Sequence, residues 1–320
     1  MRGRRLAAVV FSLALLTGGA YAQNDGETQT QTQTQTQTLR VQVRLVNLFV
    51  NVTDAHGAPV PDLIKSNFAL TEDGIPQTIS VFEKQTNVPL SLVLAIDTSG
   101  STRKDIGTEQ HAGHDFAQAL LTPKDQLALF DFNSDVREVV PFTNSVHRID
   151  SGLGSLRHGP ATAFYAAVLL ASQALAPRAG RKVLVLISDG GNTVAGTTYD
   201  EALAEAQRSD TIIYSLIDTP IQADAGRDTA GEHAMITLSQ ETGGRAFYVN
   251  QGGLEAAFRK VSDDLRTQYL LAYYPRRSGK PALGGANGFR SIHVTLGGLA
   301  PGTLDTPHYR NGYYRVESQP

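Results

Sequence analysis

The chain has 320 residues, with 28 Lys+Arg against 31 Asp+Glu and a formal charge of −3. It contains no cysteine, which excludes disulfides, thiolate-bound zinc, iron–sulfur clusters, thiol catalysis and a lipid on an N-terminal cysteine. A near-neutral balance lacks the basic footprint of phosphate binding, so no nucleic-acid partner is expected.

Residues 1–22 read as a secretory signal peptide. Arg2, Arg4 and Arg5 precede an apolar run from Leu6 to Leu16, and Ala20-Tyr21-Ala22 places small residues where a signal peptidase cuts. The run is too short to span a bilayer comfortably, which makes a permanent anchor the weaker reading. Cleavage after Ala22 removes three Arg and no acid, taking the balance from −3 to −6. The mature chain is expected to be secreted or periplasmic, with no integral membrane segment. Residues 23–38 include an unbroken Thr/Gln alternation from Thr28 to Thr38. With no apolar face to offset its ordering entropy, it reads as a flexible linker.

The block 39–88 reads as β. Val41, Val43 and Leu45 alternate, then the apolar phase slips to Val46, Leu48, Val50 and Val52, which suggests a bulge or a strand buried on both faces. Asn51-Val52-Thr53 matches a glycosylation acceptor, but its place in a strand makes the match a coincidence. Phe68 and Leu70 begin a strand, Asp73-Gly74 supplies a hairpin turn, and Ile79 and Val81 return from it.

At Pro89 the pattern changes. Leu90 to Ile96 is an almost continuous apolar run ending in Asp97, as expected of a strand buried on both faces of a parallel sheet. Gln126–Phe132, Val136–Phe142, Val183–Ile187, Thr211–Ile217 and Ala246–Val249 read as further strands. Helical stripes run through Phe164, Val168, Ala171 and Leu175, and through Leu254, Phe258, Val261 and Leu265, with another helix at 199–208. This alternation predicts an α/β domain over 89–267, a mostly parallel sheet covered on both faces. Asp263-Asp264 reads as a solvated helix face.

The block 269–316 returns to β, with strands at Tyr269–Tyr274 and Ile292–Leu296 and a Gly-rich loop at 278–288. Asn311-Gly312 is a two-residue hairpin signal. Six of the 11 Tyr fall between 269 and 314, side chains suited to a sheet or an interface. Each β block holds roughly half the residues of an ordinary sandwich. One sandwich-like domain built from 39–88 and 269–316, with the α/β domain inserted, is therefore expected; two separate small β modules are the alternative.

In open α/β sheets, ligands bind beyond the carboxyl ends of the strands. That rule selects Asp97-Thr98-Ser99-Gly100-Ser101, then Ser188-Asp189-Gly190-Gly191-Asn192, with a third loop, 158–162, before the helix at Phe164. Asp97, Ser99, Ser101, Thr162 and Asp189 offer two carboxylates and three hydroxyls. This all-oxygen set suits a hard divalent cation, Mg²⁺ first and Mn²⁺ or Ca²⁺ as alternatives. Helix capping is the plainer use of such residues, and it does not account for all five positions.

Other motifs carry less. Gly152-x-Gly154 lacks the third glycine of a dinucleotide loop and follows no strand. His111 and His114 could share a helix face as a zinc pair; with no third ligand in evidence they read as exposed polar residues. A metal-dependent phosphohydrolase would need a second acid where Ser99 stands, and a base beside the ion. No enzyme is expected.

Asp97-x-Ser99-x-Ser101, Thr162 and Asp189, in that order and in those loops, resemble the metal-ion-dependent adhesion site of von Willebrand factor type A domains. The resemblance covers about 89–267. With the flanking segments VNVTDAHGAPVPDL, FALTEDGIPQTISVF, QYLLAYYP and YRNGYY, the whole chain is similar to the VWFA-related Acidobacterial domain family of exported proteins. One departure is Ala166, where a loop often written G-G-T-A-L-Y-D carries its final Asp. The resemblance implies direct ligation by Ser99, Ser101 and, in a high-affinity state, Thr162, with Asp97 and Asp189 acting mostly through water. It implies that a partner protein's Asp or Glu completes the coordination sphere. The expectation is an exported, metal-dependent adhesion module. The competing reading is an envelope scaffold that binds through its Tyr-rich β block.

Overall fold

The structure, a computed structural model, describes residues 45–84, 87–100, 106–218, 229–276, 288–298 and 307–314, with backbone alone over 106–109. The expected signal peptide and Thr/Gln linker, the alternation at 39–44, Ser101 and nearly all of the Gly-rich loop at 278–288 lie outside these residues.

The first flank supplies β1 (Val46–Val50), β2 (Phe68–Glu72), β3 (Ile75–Gln77) and β4 (Ile79–Lys84). Then come β5 (Leu90–Asp97), α1 (Ile106–Leu120), β6 (Gln126–Phe132), β7 (Val136–Thr143), α2 (Val146–Leu153) and α3 (Phe164–Leu175). They are followed by β8 (Arg181–Ser188), α4 (Tyr199–Arg208), β9 (Thr211–Ile217), α5 (Thr229–Thr242), β10 (Ala246–Tyr248) and α6 (Gly253–Thr267). The second flank supplies β11 (Tyr269–Tyr273), β12 (Phe289–Leu296) and β13 (Gly312–Tyr314).

Six strands form the central sheet in the order β10-β9-β8-β5-β6-β7. All neighbours are parallel except β7, which returns antiparallel beside β6 at the edge. Every residue of β5 is buried, and its side chains alternate between two cores. Leu92, Leu94 and Ile96 meet Phe116 of α1 and Phe258 and Val261 of α6. Val93 and Ala95 meet Phe164, Val168, Ala202 and Leu238 of α3, α4 and α5. Burial on both sides explains why this strand lacks polar alternation. The start of α4 is fixed by a capping box, in which Thr198 and Glu201 satisfy each other's backbone N–H.

The flanks pair with one another in two antiparallel sheets. One is β1-β11-β4 and the other β13-β12-β2-β3, so each sheet takes strands from both flanks. Asp73 (φ 50°) and Gly74 (φ 76°) make the tight turn between β2 and β3. The chain crosses from one sheet to the other at Thr78: β3 pairs with β2, whereas β4 pairs with β11. Val46, Leu48, Leu70, Ile79, Leu271 and Val294 share one core. Beyond Val50 the chain is buried on both faces, since Asn51, Val52 and Thr53 are all covered.

Two expectations are corrected. Asn311-Gly312 is not a hairpin turn. Asn311 hydrogen-bonds the Glu241 backbone and the side chains of Glu241 and Gln207, and Gly312 begins β13 beside β12. Asp264 is not solvated: it is 1% exposed and paired with Arg245 at 3.0 Å. Two of the clustered tyrosines serve the sheets, one of the two uses expected of them. Tyr269 and Tyr273 are fully buried, with Tyr269 donating to the Val60 carbonyl and Tyr273 to Glu72.

Candidate metal centre

Strands β5 and β8 are neighbours and end together, which puts Asp97 beside Ser188 and Asp189. Asp97 is almost wholly buried. Its Oδ1 accepts the backbone N–H of Ser99 at 2.9 Å, and its Oδ2 accepts the Ser188 hydroxyl at 2.7 Å. Burial pushes the Asp97 carboxyl up to about 6, against the hydrogen bonds from Ser188 and Ser99, and the like charge of Asp189 adds to the rise. A carboxylate held this way is costly without a nearby cation.

The other two loops are joined to this one by named bonds. The Gly159 N–H donates to the Thr98 carbonyl at 3.1 Å. Asn133, just beyond β6, donates to Thr98 Oγ1 at 3.0 Å and to the Arg157 carbonyl at 2.8 Å. Gly159 is needed there because a Cβ would lie 2.4 Å from Asn133 Oδ1. The Thr162 N–H donates to Thr193 Oγ1 at 2.8 Å, and its carbonyl accepts the Thr193 N–H at 2.9 Å. The Tyr165 N–H donates to Asn192 Oδ1 at 3.3 Å. Main-chain groups and Asn192 therefore hold the third loop across the turn that contains Ala166.

Asp189 is half-buried, and its Oδ1 accepts the Gly191 N–H at 3.0 Å. The next residue, Gly190, has φ +89°, and a Cβ there would sit 2.5 Å from the Gly231 backbone. Only glycine lets β8 turn this tightly beneath α5. Asp97, Ser99, Thr162 and Asp189 thus sit on three mutually bonded loops at the carboxyl end of the sheet, while Ser101 lies outside the described residues. The donor set fits a hard cation. Both Asp97 oxygens already accept hydrogen bonds, which suits an acceptor behind water better than a direct ligand. Sequence reading missed Asn133 and Thr193 and gave no role to Ser188 or Asn192, which stand in the loop it selected; all four position these loops.

His111 and His114 do not form a pair. His114 Nδ1 lies 2.7 Å from Asp150 of α2, whereas His111 faces Asp115 on its own helix. Asn51 is buried and donates to the Tyr214 hydroxyl at 2.8 Å, which leaves no room for a glycan.

A mostly parallel sheet with helices on both faces, and with polar loops gathered where β5 and β8 end, is an α/β domain of the doubly wound class. Residues 92–192 match the family model of the von Willebrand factor type A domain. Among solved structures, the chain is similar to an aerotolerance-related membrane protein from Bacteroides fragilis (19% identity, 55% of this chain and 98% of that one, TM-score 0.45). It is also similar to the vWF domain of the type V pili tip protein Mfa5 from Porphyromonas gingivalis (14% identity, 55% and 95%, TM-score 0.45). A third is the pilus adhesin SpaC from Lactobacillus rhamnosus GG (14% identity, 68% and 34%, TM-score 0.45). No curated protein matches the chain. Among the described residues, no helix is long and apolar enough to cross a membrane.

Proposed function

We propose that the chain is an exported protein-binding module of the adhesion type, released after Ala22, whose binding depends on a divalent cation. The supporting observation is the stitching of three loops around Asp97, Ser99, Thr162 and Asp189, with the two Asp97 carboxylate oxygens each accepting a hydrogen bond, from Ser99 and Ser188. Ser99, Ser101 and Thr162 would hold Mg²⁺, with Asp97 and Asp189 behind water. The ion supplies an electrophilic open position that takes an Asp or Glu carboxylate from a partner. Neutral hydroxyls as direct ligands leave its charge undiminished, and the carboxylates of Asp97 and Asp189 keep it in place. A partner carboxylate entering a partly desolvated cleft makes a charge-assisted contact stronger than an exposed ion pair.

The test is calorimetry of MgCl2 binding to the mature chain. A single site is expected, lost in Ser99→Ala and in Asp97→Ala. Capture of partners from envelope and culture fractions should need Mg²⁺ and fail in EDTA. Mg²⁺ binding that survives Ser99→Ala unchanged overturns the assignment.

A further inference from the structure

His111 and Asp115 lie one turn apart on α1, with Nε2 and Oδ2 3.8 Å from each other. Glu255, in the first turn of α6, brings a third donor, and the three ligand atoms all lie within 4.8 Å of one another. This is the only such group of three His, Asp or Glu donors among the described residues. The helices beneath it are locked together. Phe116, next to Asp115, stacks on Phe258, one turn beyond Glu255, with ring centroids 4.3 Å apart and planes 18° apart. Further along, Arg266 of α6 donates to the Ala119 carbonyl of α1 at 2.5 Å. The donors are therefore side chains on a fixed two-helix frame. His114 is excluded from the group by its bond to Asp150.

The arrangement brings two carboxylates from different helices together, with Arg259 as a neighbouring cation 3.7 Å from Glu255. In a tetrahedral zinc sphere, bonds of about 2.0–2.1 Å place donors roughly 3.4 Å apart. Solvent-exposed side chains cover the difference by rotating, with no backbone movement. One imidazole and two carboxylates neutralise a divalent charge, and the imidazole selects a borderline metal over Mg²⁺ or Ca²⁺. We propose that His111, Asp115 and Glu255 form a second metal site, of Zn²⁺ class, with water in the fourth position, bridging α1 and α6.

This assignment does not rest on the proposed function, and its test separates the two sites. ZnCl2 is titrated calorimetrically into the mature chain with excess MgCl2 present, and Co²⁺ is used as a spectroscopic probe of imidazole ligation. One equivalent of Zn²⁺ should bind. His111→Ala and Glu255→Gln should each weaken it by about tenfold or more, and Ser99→Ala should leave it unchanged. All three substituted residues lie outside the hydrophobic cores, and circular dichroism is to check that each variant is folded. No uptake of Zn²⁺, undiminished affinity in His111→Ala, or loss of the site in Ser99→Ala would each overturn the proposal.

Discussion

The Ser188 hydroxyl donates to Asp97 Oδ2 at 2.7 Å, linking the last residues of two neighbouring parallel strands inside a buried environment. A hydrogen bond to a buried carboxylate contributes about 1.5–3 kcal/mol, and its loss also strands the acceptor. Ser188→Ala should therefore lower stability by about that amount and drive the Asp97 carboxyl still higher. Urea unfolding gives the first effect and NMR titration of Asp97 the second. An unchanged midpoint would show that the bond holds nothing together.

Thr162 behaves differently, because its main chain rather than its hydroxyl clamps the loop. Thr162→Ala should cost about 1 kcal/mol or less in stability. It should weaken partner binding more than it weakens Mg²⁺ binding. Calorimetry of metal and of a captured partner checks the ordering, and an equal loss in both would contradict it.

Asp264 carries a pH dependence. Burial raises its carboxyl from 3.8 to about 6, with Arg245 countering in part, and its buried Oδ2 has no hydrogen-bond partner. Between these values the folded chain keeps a proton that the unfolded chain has released. The stability contributed by this group is therefore full below about pH 4 and lost as pH rises through 6, a change of at most about 3 kcal/mol. Asp264→Asn cannot titrate, so the stability of the parent minus that of the variant should decline from pH 4 to pH 7. Urea titrations across that range test this, and a flat difference would refute it.

Glu72 of β2 accepts from two tyrosines, Tyr273 of β11 at 2.7 Å and Tyr313 of β13 at 3.1 Å. The Tyr273 bond crosses from one flank sheet to the other. Tyr273→Phe should destabilise the chain by about 1.5–3 kcal/mol, and Tyr313→Phe by less, because Tyr313 is partly exposed. Thermal melts of both variants give the order, and equal shifts would deny Tyr273 its special place.

The α/β domain was legible because its strongest signals are local. β5 and β8 are buried runs that end at hydroxyls and acids, and α4 carries its own capping box. The direction of β7 was not legible, since alternation marks a strand without saying which way it runs. Asn311-Gly312 misled because contacts distant in sequence override turn chemistry. Glu241 and Gln207 bind Asn311, and a Cβ on Gly312 would lie 2.2 Å from the Arg290 carbonyl. Of the candidate metal positions, Asp97, Ser99 and Asp189 could be chosen from strand ends and Thr162 from the loop before α3, and all four are placed on the three joined loops. Asn133 could not be chosen, because its bonds reach back 35 residues to Thr98. Asp264 was a misjudgement of phase: it directly precedes Leu265 of the apolar stripe, close enough to be drawn under α6.

Chain enters the α/β layer from β4 and leaves it into β11, with only Gln268 between α6 and Tyr269. Those two strands are hydrogen-bonded, and Lys84 faces Tyr269 across the ladder. Tension arriving from a partner bound as proposed would thus be divided between two polypeptide tethers that depart side by side. Pulled along their common axis, β4 and β11 move as one ribbon. The β11–β1 ladder is then loaded in shear, with its hydrogen bonds sharing the force, instead of being peeled open one bond at a time.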